Sequence, residues 1–237
     1  MNPMVSIKRL FGGFRSSRAK KTDSESRASI QWVVAGLGNP GAEYSRSRHN
    51  AGFQTIDIIA TAKGVEPSRR RFKGVTAEVT LAGHAAMLVK PQTFYNLSGE
   101  CISDLLGYFK ISPARLIVVH DELDLAAGRL RIKQGGGDAG NRGVRSIAEA
   151  LGTTDFVRVR IGIGRPPGFT VELDPGRQPK TEENKDYLLR PMTAAERQAL
   201  APILERAAGA VEAIAEQGLE AAMNRYNQRG PAGLKLE

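Results

Sequence analysis

The stretch "QWVVAGLGNPGAEYSRSRHNAGF" (residues 31–53) decides how the chain is read. Its first five residues, Gln31 to Ala35, form a short apolar run that reads as a buried strand. Gly36 to Gly41 then spells G-x-G-x-x-G, the fingerprint of a dinucleotide-binding turn. In such a turn the third glycine opens a helix at once, so that the helix N-terminus meets a pyrophosphate. Here the helical spacing of apolar residues begins only at Phe53 and continues through Ile56, Ile59 and Ala60. Pro40 removes a backbone donor from the middle of the loop. No acidic residue ends a second parallel strand, and Asp57 falls inside the helical period. The glycines therefore shape a catalytic loop that presents Asn39, Tyr44, His49 and Asn50.

Outward from this loop, helices and strands alternate. "VTAEVTLA", a Gly83-His84 turn and "AAMLVK" predict a hairpin. Ile102, Leu105, Leu106 and Phe109 predict a helix, and "RLIVVH" (Arg115 to His120) a buried strand. "RLRIKQ" (129–134) predicts an alternating strand. Val144, Ile147, Ala148 and Leu151 predict a helix ended by Gly152, and "FVRVRIGIG" (156–164) a further strand. Thr193 and Glu196 form a capping box at the start of a long C-terminal helix. The fold class is α/β, a single domain over residues 30–228 whose sheet is covered by helices on both faces. Residues 1–29, with seven Lys and Arg against two acidic residues, read as a disordered basic arm, with an organelle transit peptide as the other reading. Residues 165–182 read as a Pro-rich loop or lid, and 229–237 as a flexible tail.

Composition sets outer limits. The chain has 237 residues, 41% hydrophobic and 25% charged, enough for one full core. No apolar run approaches the ~18 residues of a membrane span, so a soluble, cytoplasmic protein is expected. The single Cys101 excludes an internal disulfide framework, suits a reducing cytosol and lies on an apolar helix face as a core residue. A net charge of +9 points to a polyanionic partner, nucleic acid first.

Three polar clusters follow three strands: the 36–52 loop, "KPQTFYNLSG" (90–99) and "HDELD" (120–124). In open α/β sheets such strand ends converge on a ligand cleft. Of the three histidines, His84 falls in the hairpin turn facing solvent, and His120 ends a strand as a packed core residue. His49 lies in the polar loop, and Asp121 is expected at the same edge. A neutral imidazole oriented by a carboxylate is a general base suited to neutral pH. No Ser or Cys sits in a nucleophile elbow. The nucleophile is then water, with Asn39 or Asn96 as amide donors to an oxyanion. "HDELD" also permits a metal reading, but alternation sends Asp121 and Glu122 to opposite sides, and the histidines lack zinc-type spacing; no metal or cofactor is expected. Arg129, Arg131 and Lys133 share one strand face, as do Arg158 and Arg160; these stripes suit phosphates, or else form a solvated face. "SRRRFK" (68–73) reads as a basic surface turn, and Gly135-Gly136-Gly137 as either an anion site or a tight turn.

"GLGNPGAEYSRSRHNAGF", "KPQTFYNLSG", "VVHDELDLAAGRLRIKQGGGDAGNRGVRSI", "RIGIGRPP" and the later "DYLL…AMNRYN" together resemble the bacterial-type peptidyl-tRNA hydrolases, over Gln31 to Asn227. The resemblance implies one α/β domain around a mixed, twisted sheet. It implies hydrolysis of the ester between a peptide and the tRNA 3′-terminal ribose, with no metal or cofactor needed; a monomer is expected. By motif, it implies that His49 is the base, Asp121 its orienting partner, and Asn39 and Asn96 substrate-positioning residues. Tyr44 falls at a pocket position, and Arg131, Lys133 and Arg160 where that family has cations facing tRNA. The chain departs from the pattern at Tyr95, where the family reads Met, and at Asn141-Arg142, where it reads His-Asn. Tyr95 and Arg142 are still expected at the substrate, Arg142 as a charged contact replacing an amide, with Asp138 and Asp121 as its candidate partners within the chain. The alternative is a catalytically weak RNA-binding relative of the same fold.

Overall fold

The computed structural model describes residues 29–165 and 181–228. The basic arm through residue 28, the Pro-rich stretch 166–180 and the tail 229–237 lie outside the described residues.

Strand β1 (Trp32–Gly36) is buried at every position, which suits the central strand of a sheet covered on both faces. It runs between β4 (His84–Pro91) and β5 (Leu116–Glu122), parallel to both, with Val34 opposite Leu88 and Ile117. With β2 (Arg69–Arg71), β3 (Gly74–Leu81), β6 (Leu130–Gln134) and β7 (Val157–Gly162) they form a seven-stranded mixed sheet in the order β2-β3-β4-β1-β5-β7-β6. β7 is parallel to β5, while β2–β3, β3–β4 and β6–β7 are antiparallel.

Alternation within β1 feeds two cores. Trp32 and Val34 join a cluster with Ile56, Leu88, Ile117, Ile203, Leu204 and Val211. That cluster lies under α1 (Ala51–Ala62) and α5 (Ala194–Gln217). Val33 and Ala35 join Val89, Ile102, Leu105, Val118, Val144 and Ile147, under α2 (Ser98–Phe109) and α3 (Arg142–Leu151) on the opposite face. Cys101 is buried in this second core, and burial pushes its thiol up to about 12, so it is a packed, unreactive residue. Among the described residues no helix is long and apolar enough to cross a membrane.

The structure departs from the sequence reading in four local features. Arg69–Arg71 is not a surface turn but the edge strand β2, joined to β3 by Phe72-Lys73 with φ of 51° and 54°. Three arginines at the edge deter pairing with another chain. The β3–β4 turn is Ala82-Gly83, both at positive φ as a type I′ turn requires. His84 consequently opens β4 and lies half-buried with Nδ1 2.9 Å from Gln31 Oε1. The C-terminal helix is broken at Gly218 (φ 85°), after which α6 (Leu219–Tyr226) begins. Finally, α4 (Thr181–Leu189) precedes the capping box.

Candidate active site

The three polar clusters converge at the carboxyl ends of β1, β4 and β5, around a cavity of about 660 Å³. Asn39, Tyr44, His49, Tyr95, Asn96, Asp121 and Arg142 all line it. The glycines of the first loop make this possible by close packing. A Cβ on Gly36 would strike the Gly52 carbonyl, and one on Gly52 would strike Leu37 and Val119. Strand and helix thus meet backbone to backbone, while Leu37 N donates to Val119 O at 2.9 Å.

Within the loop, Asn39 and Asn50 clasp each other. Asn39 N donates to Asn50 Oδ1, and Asn50 Nδ2 donates to Asn39 O, each at 2.9 Å. Asn39 Oδ1 accepts from Tyr95 N at 2.9 Å, tying the first loop to the second. His49 lies in a 3₁₀ turn, Arg48–Asn50, directly before α1. Its Nδ1 is 2.9 Å from Asp121 Oδ2, on a side chain only 3% exposed. A carboxylate can only accept, so Nδ1 carries the proton, and Nε2 on the far edge of the ring is left as the basic nitrogen.

Asp121 and Glu122 do point to opposite sides. Glu122 Oε2 accepts from Arg160 Nε and Nη2 at 3.0 and 2.9 Å. Among the described residues no cluster of His, Cys, Asp and Glu could hold a metal ion. His120 is fully buried, its Nδ1 2.7 Å from Asp121 O. Burial pulls its pKa down to about 4, helped by the nearby Arg158 and Arg160 charges, so it stays neutral.

Tyr95 is turned inward, 4% exposed. Its hydroxyl donates to Asp121 Oδ1 at 2.8 Å and accepts from Asn141 Nδ2 at 2.9 Å. Its ring stacks on His49 with centroids 3.6 Å apart and planes 12° from parallel. Asn96, next in sequence, is exposed in the cavity, and Tyr44 is half-buried there.

The cations divide. Arg131 is exposed and Lys133 half-buried on β6, away from the cavity lining. Arg160 is held by Glu122 as above. Arg158 is not part of a phosphate-facing stripe: it is 2% exposed and donates to the carbonyls of Gly135, Gly136 and Gly137. The triple glycine is accordingly a turn whose carbonyls wrap a guanidinium, not an amide nest. The amides at the start of α3 are also occupied, since Asn141 Oδ1 accepts from Gly143 N and Val144 N at 3.1 and 3.0 Å. Asp138 pairs with Arg145, not with Arg142, and Asp121 is taken by His49 and Tyr95. Arg142 therefore opens α3 at the cavity with no carboxylate paired to it among the described residues.

Sequence reasoning missed Asn141 as a member of the site, although an Asn directly before a helical period is a capping signal. It also missed α4, which brings Lys185, Leu188 and Leu189 to the cavity; Phe94, 61% exposed, adds to the same wall. The only hint of α4 was "DYLL" in the family resemblance.

The fold and site define an α/β protein with a carboxylate-oriented histidine in an open, cation-rimmed cavity. A family model described as peptidyl-tRNA hydrolase matches residues 33–233. A curated peptidyl-tRNA hydrolase of Frankia alni is 49% identical over 196 residues, covering 83% of this chain and 93% of the relative. That of Sorangium cellulosum is 45% identical over 202 residues, covering 85% and 86%. The crystal structure of peptidyl-tRNA hydrolase from Acinetobacter baumannii superposes with a TM-score of 0.75 at 31% identity, covering 87% of this chain and all of that one. The chain belongs to the peptidyl-tRNA hydrolase family.

Proposed function

We propose that the chain hydrolyses the ester linking peptide to tRNA with a water molecule that His49 activates. Family membership makes the chain a hydrolase with peptidyl-tRNA as its substrate class. The observation that carries the residue assignment is the 2.9 Å contact of His49 Nδ1 with Asp121 Oδ2 beside a cavity large enough for an ester and its flanking groups. His49 Nε2 takes a proton from water as the water oxygen attacks the ester carbonyl carbon. Asp121 keeps the tautomer and stabilises the imidazolium that forms. The oxyanion is met by side-chain amides. Asn39 is suited to this because its Oδ1 is held by Tyr95 N, which fixes the orientation of the whole amide. Asn96, next to Tyr95 in sequence, is exposed in the same cavity. Collapse of the tetrahedral intermediate breaks the bond to the ribose oxygen, and the imidazolium returns the proton to that oxygen. Free peptide and tRNA leave.

The same reading covers the finer points of substrate contact. Arg142 and Lys185 at the cavity, with Arg131 and Lys133 on β6, suit the phosphates of a tRNA arm. Phe94, Leu188 and Leu189 offer an apolar wall to the peptide. A monomeric protein working in the cytoplasm, where its substrate arises, belongs to this proposal.

Release of peptide from purified peptidyl-tRNA tests it. His49→Ala is expected to cut turnover by ~10²–10⁴, the scale of general base catalysis, with tRNA binding nearly unchanged. His84→Ala, whose ring lies on Gln31 at the strand β4 start, is expected to leave turnover as it is. Equal effects of the two substitutions would remove His49 from the role of base.

A further inference from the structure

Asp121 has two carboxylate oxygens, and both are used. Oδ2 accepts from His49 and Oδ1 accepts from the Tyr95 hydroxyl. The direction of the second bond is set from outside. Asn141 Oδ1 is committed to the amides of Gly143 and Val144, so its Nδ2 is the end that meets Tyr95, and it can only donate. With one lone pair of the phenol occupied in this way, its own proton goes to Asp121. A one-way chain results: Asn141 to Tyr95, Tyr95 to Asp121, and His49 to Asp121 from the other side. Burial, and next the Asp121 charge, push the Tyr95 phenol well above its ordinary pKa, so it remains a donor throughout the working range.

The ring is fixed as firmly as the hydroxyl. One face stacks on the His49 imidazole at 3.6 Å. The α3 backbone is so close that a Cβ on Gly143 would fall 2.5 Å from Tyr95 Cε1. The Tyr95 amide is held by Asn39. A side chain pinned at backbone, ring and hydroxyl makes a rigid floor beneath the imidazole.

We infer that Tyr95 is a positioning residue for the hydrolysis: its hydroxyl, oriented by Asn141, holds the Asp121 carboxylate square to His49, and its ring sets the plane of the imidazole. This rests on the reading of His49 as the base. Two consequences follow from elementary electrostatics. A carboxylate with a second donor divides its negative charge between two partners, so losing the Tyr95 hydroxyl leaves more of it for the imidazolium that forms during turnover. A carboxylate free to rotate would hold Nδ1 less well, so the same hydroxyl supports turnover. The other titratable groups lining the cavity with His49 are Tyr44 on its own loop, Glu122 at the end of β5 and Asp124 just after it, Arg142 opening α3, Arg165, and Lys185 on α4; Glu122 is paired with Arg160 and Asp124 with Arg165.

Tyr95→Phe keeps the ring and removes only the hydroxyl. Its kcat on peptidyl-tRNA is expected to fall roughly ten-fold, the scale of one charge-assisted hydrogen bond, with KM nearly held. The acid limb of its kcat/KM–pH profile is expected to move to higher pH, which a purely structural role would not produce. Asn141→Ser keeps a capping acceptor for α3 but removes the donor to Tyr95. It should move the acid limb the same way. Asn141 Nδ2 also donates to Asp121 O at 3.3 Å and lies 3.2 Å from His120 Nδ1, so the double variant Tyr95→Phe/Asn141→Ser should lose less than the sum of the two single losses, because the part of the Asn141 effect that passes through the phenol is already gone in Tyr95→Phe. Tyr95→Leu, which removes the stacking surface as well, should fall below Tyr95→Phe. A Tyr95→Phe enzyme with unchanged kcat and pH profile, or fully additive Tyr95 and Asn141 effects, overturns the inference. His49→Ala separates the two levels. If it is inactive while Tyr95→Phe behaves as wild type, only the positioning role fails; if it is fully active, the base assignment fails with it.

Discussion

Arg48 and Glu196 form a buried ion pair across 148 residues of sequence, and Arg48 is the residue immediately before His49. The Arg48 guanidinium also lies over the Tyr187 ring, 4.1 Å from its centroid, and donates to Tyr187 O. Glu196 additionally takes Arg190 and the Thr193 amide as the second half of the α5 capping box. The loop that bears His49 is thus bolted through Arg48 to Tyr187 on α4 and to the Glu196 carboxylate on α5. The Glu196 side chain is 8% exposed, so the pair is screened little by solvent.

Glu196→Gln is therefore expected to destabilise the protein by about 3 kcal/mol at neutral pH, the scale of a buried pair that loses one charge. Although burial pushes the Glu196 carboxyl upward, donors from Arg190, Thr193 and Arg48 outweigh it and hold it down at about 2. A depressed carboxyl stabilises the folded state above its unfolded value and loses that contribution as pH falls through the folded one. The gap between wild type and Glu196→Gln should thus close between about pH 4.5 and 2, measured by denaturant unfolding across that range. A gap independent of pH would mean that packing, not charge, makes the difference.

His120 opens an earlier window. It is buried neutral, with its pKa pulled down to about 4. The unfolded chain takes up a proton near pH 6.5, but the folded one does not until pH 4, so stability should decline as pH falls between those values. Unfolding free energy measured from pH 7.5 to 4 should show this slope, with one proton taken up on unfolding. No slope above pH 4.5 would show that His120 is not the titrating group.

The cations should separate by experiment as they do in space. Arg131→Ala, on the exposed face of β6, is expected to reduce the slope of log affinity for tRNA against log salt by about one counterion while leaving stability unchanged. Arg158→Ala removes the donor to three glycine carbonyls and should lower the unfolding midpoint instead. A stable Arg158→Ala protein with a flattened salt slope would place Arg158 at the RNA after all.

Arg142 faces the cavity with no carboxylate paired to it among the described residues. A cation at a helix N-terminus is disfavoured by the helix dipole, and a substrate phosphate would offset this. Arg142→Ala is expected to raise KM with kcat nearly held, more at low salt than at high, and Arg142→Asn to remain active. Steady-state kinetics at two ionic strengths decide it: an unmoved KM at both removes the contact, and a fall in kcat alone makes Arg142 part of the catalytic group.

Much of this molecule was legible in order along the chain. β1, α1, α2, β5 and α3 announce themselves because buried strands and amphipathic helices carry their period within a few residues. Thr193 and Glu196 declare the α5 cap for the same reason: both partners of a capping box are local. β2 stayed hidden, since its hairpin turns on Phe72-Lys73, not on the Asn or Gly that positive φ usually demands, and its three arginines look like solvated charge. Arg158 was misplaced because strand alternation says which face a side chain leaves from, not that a glycine turn will fold over that face and bury it.

By itself the sequence determined which residues could do the chemistry and that they sit at three strand ends: His49 and Asn39, Tyr95 and Asn96, and Asp121. Only the tertiary structure decided how they meet. The sequence shows Tyr95 and Asn141 as separate departures from a family pattern, 46 positions apart; folded, they are bonded at 2.9 Å and share Asp121 with His49. The physical reason is that a strand's hydrophobic period is a local property, set by burial. The orientation of the Asp121 carboxylate is set by His49 from the loop after β1 and by Tyr95 from the loop after β4, the latter held by Asn141 just before α3, and no local pattern connects them.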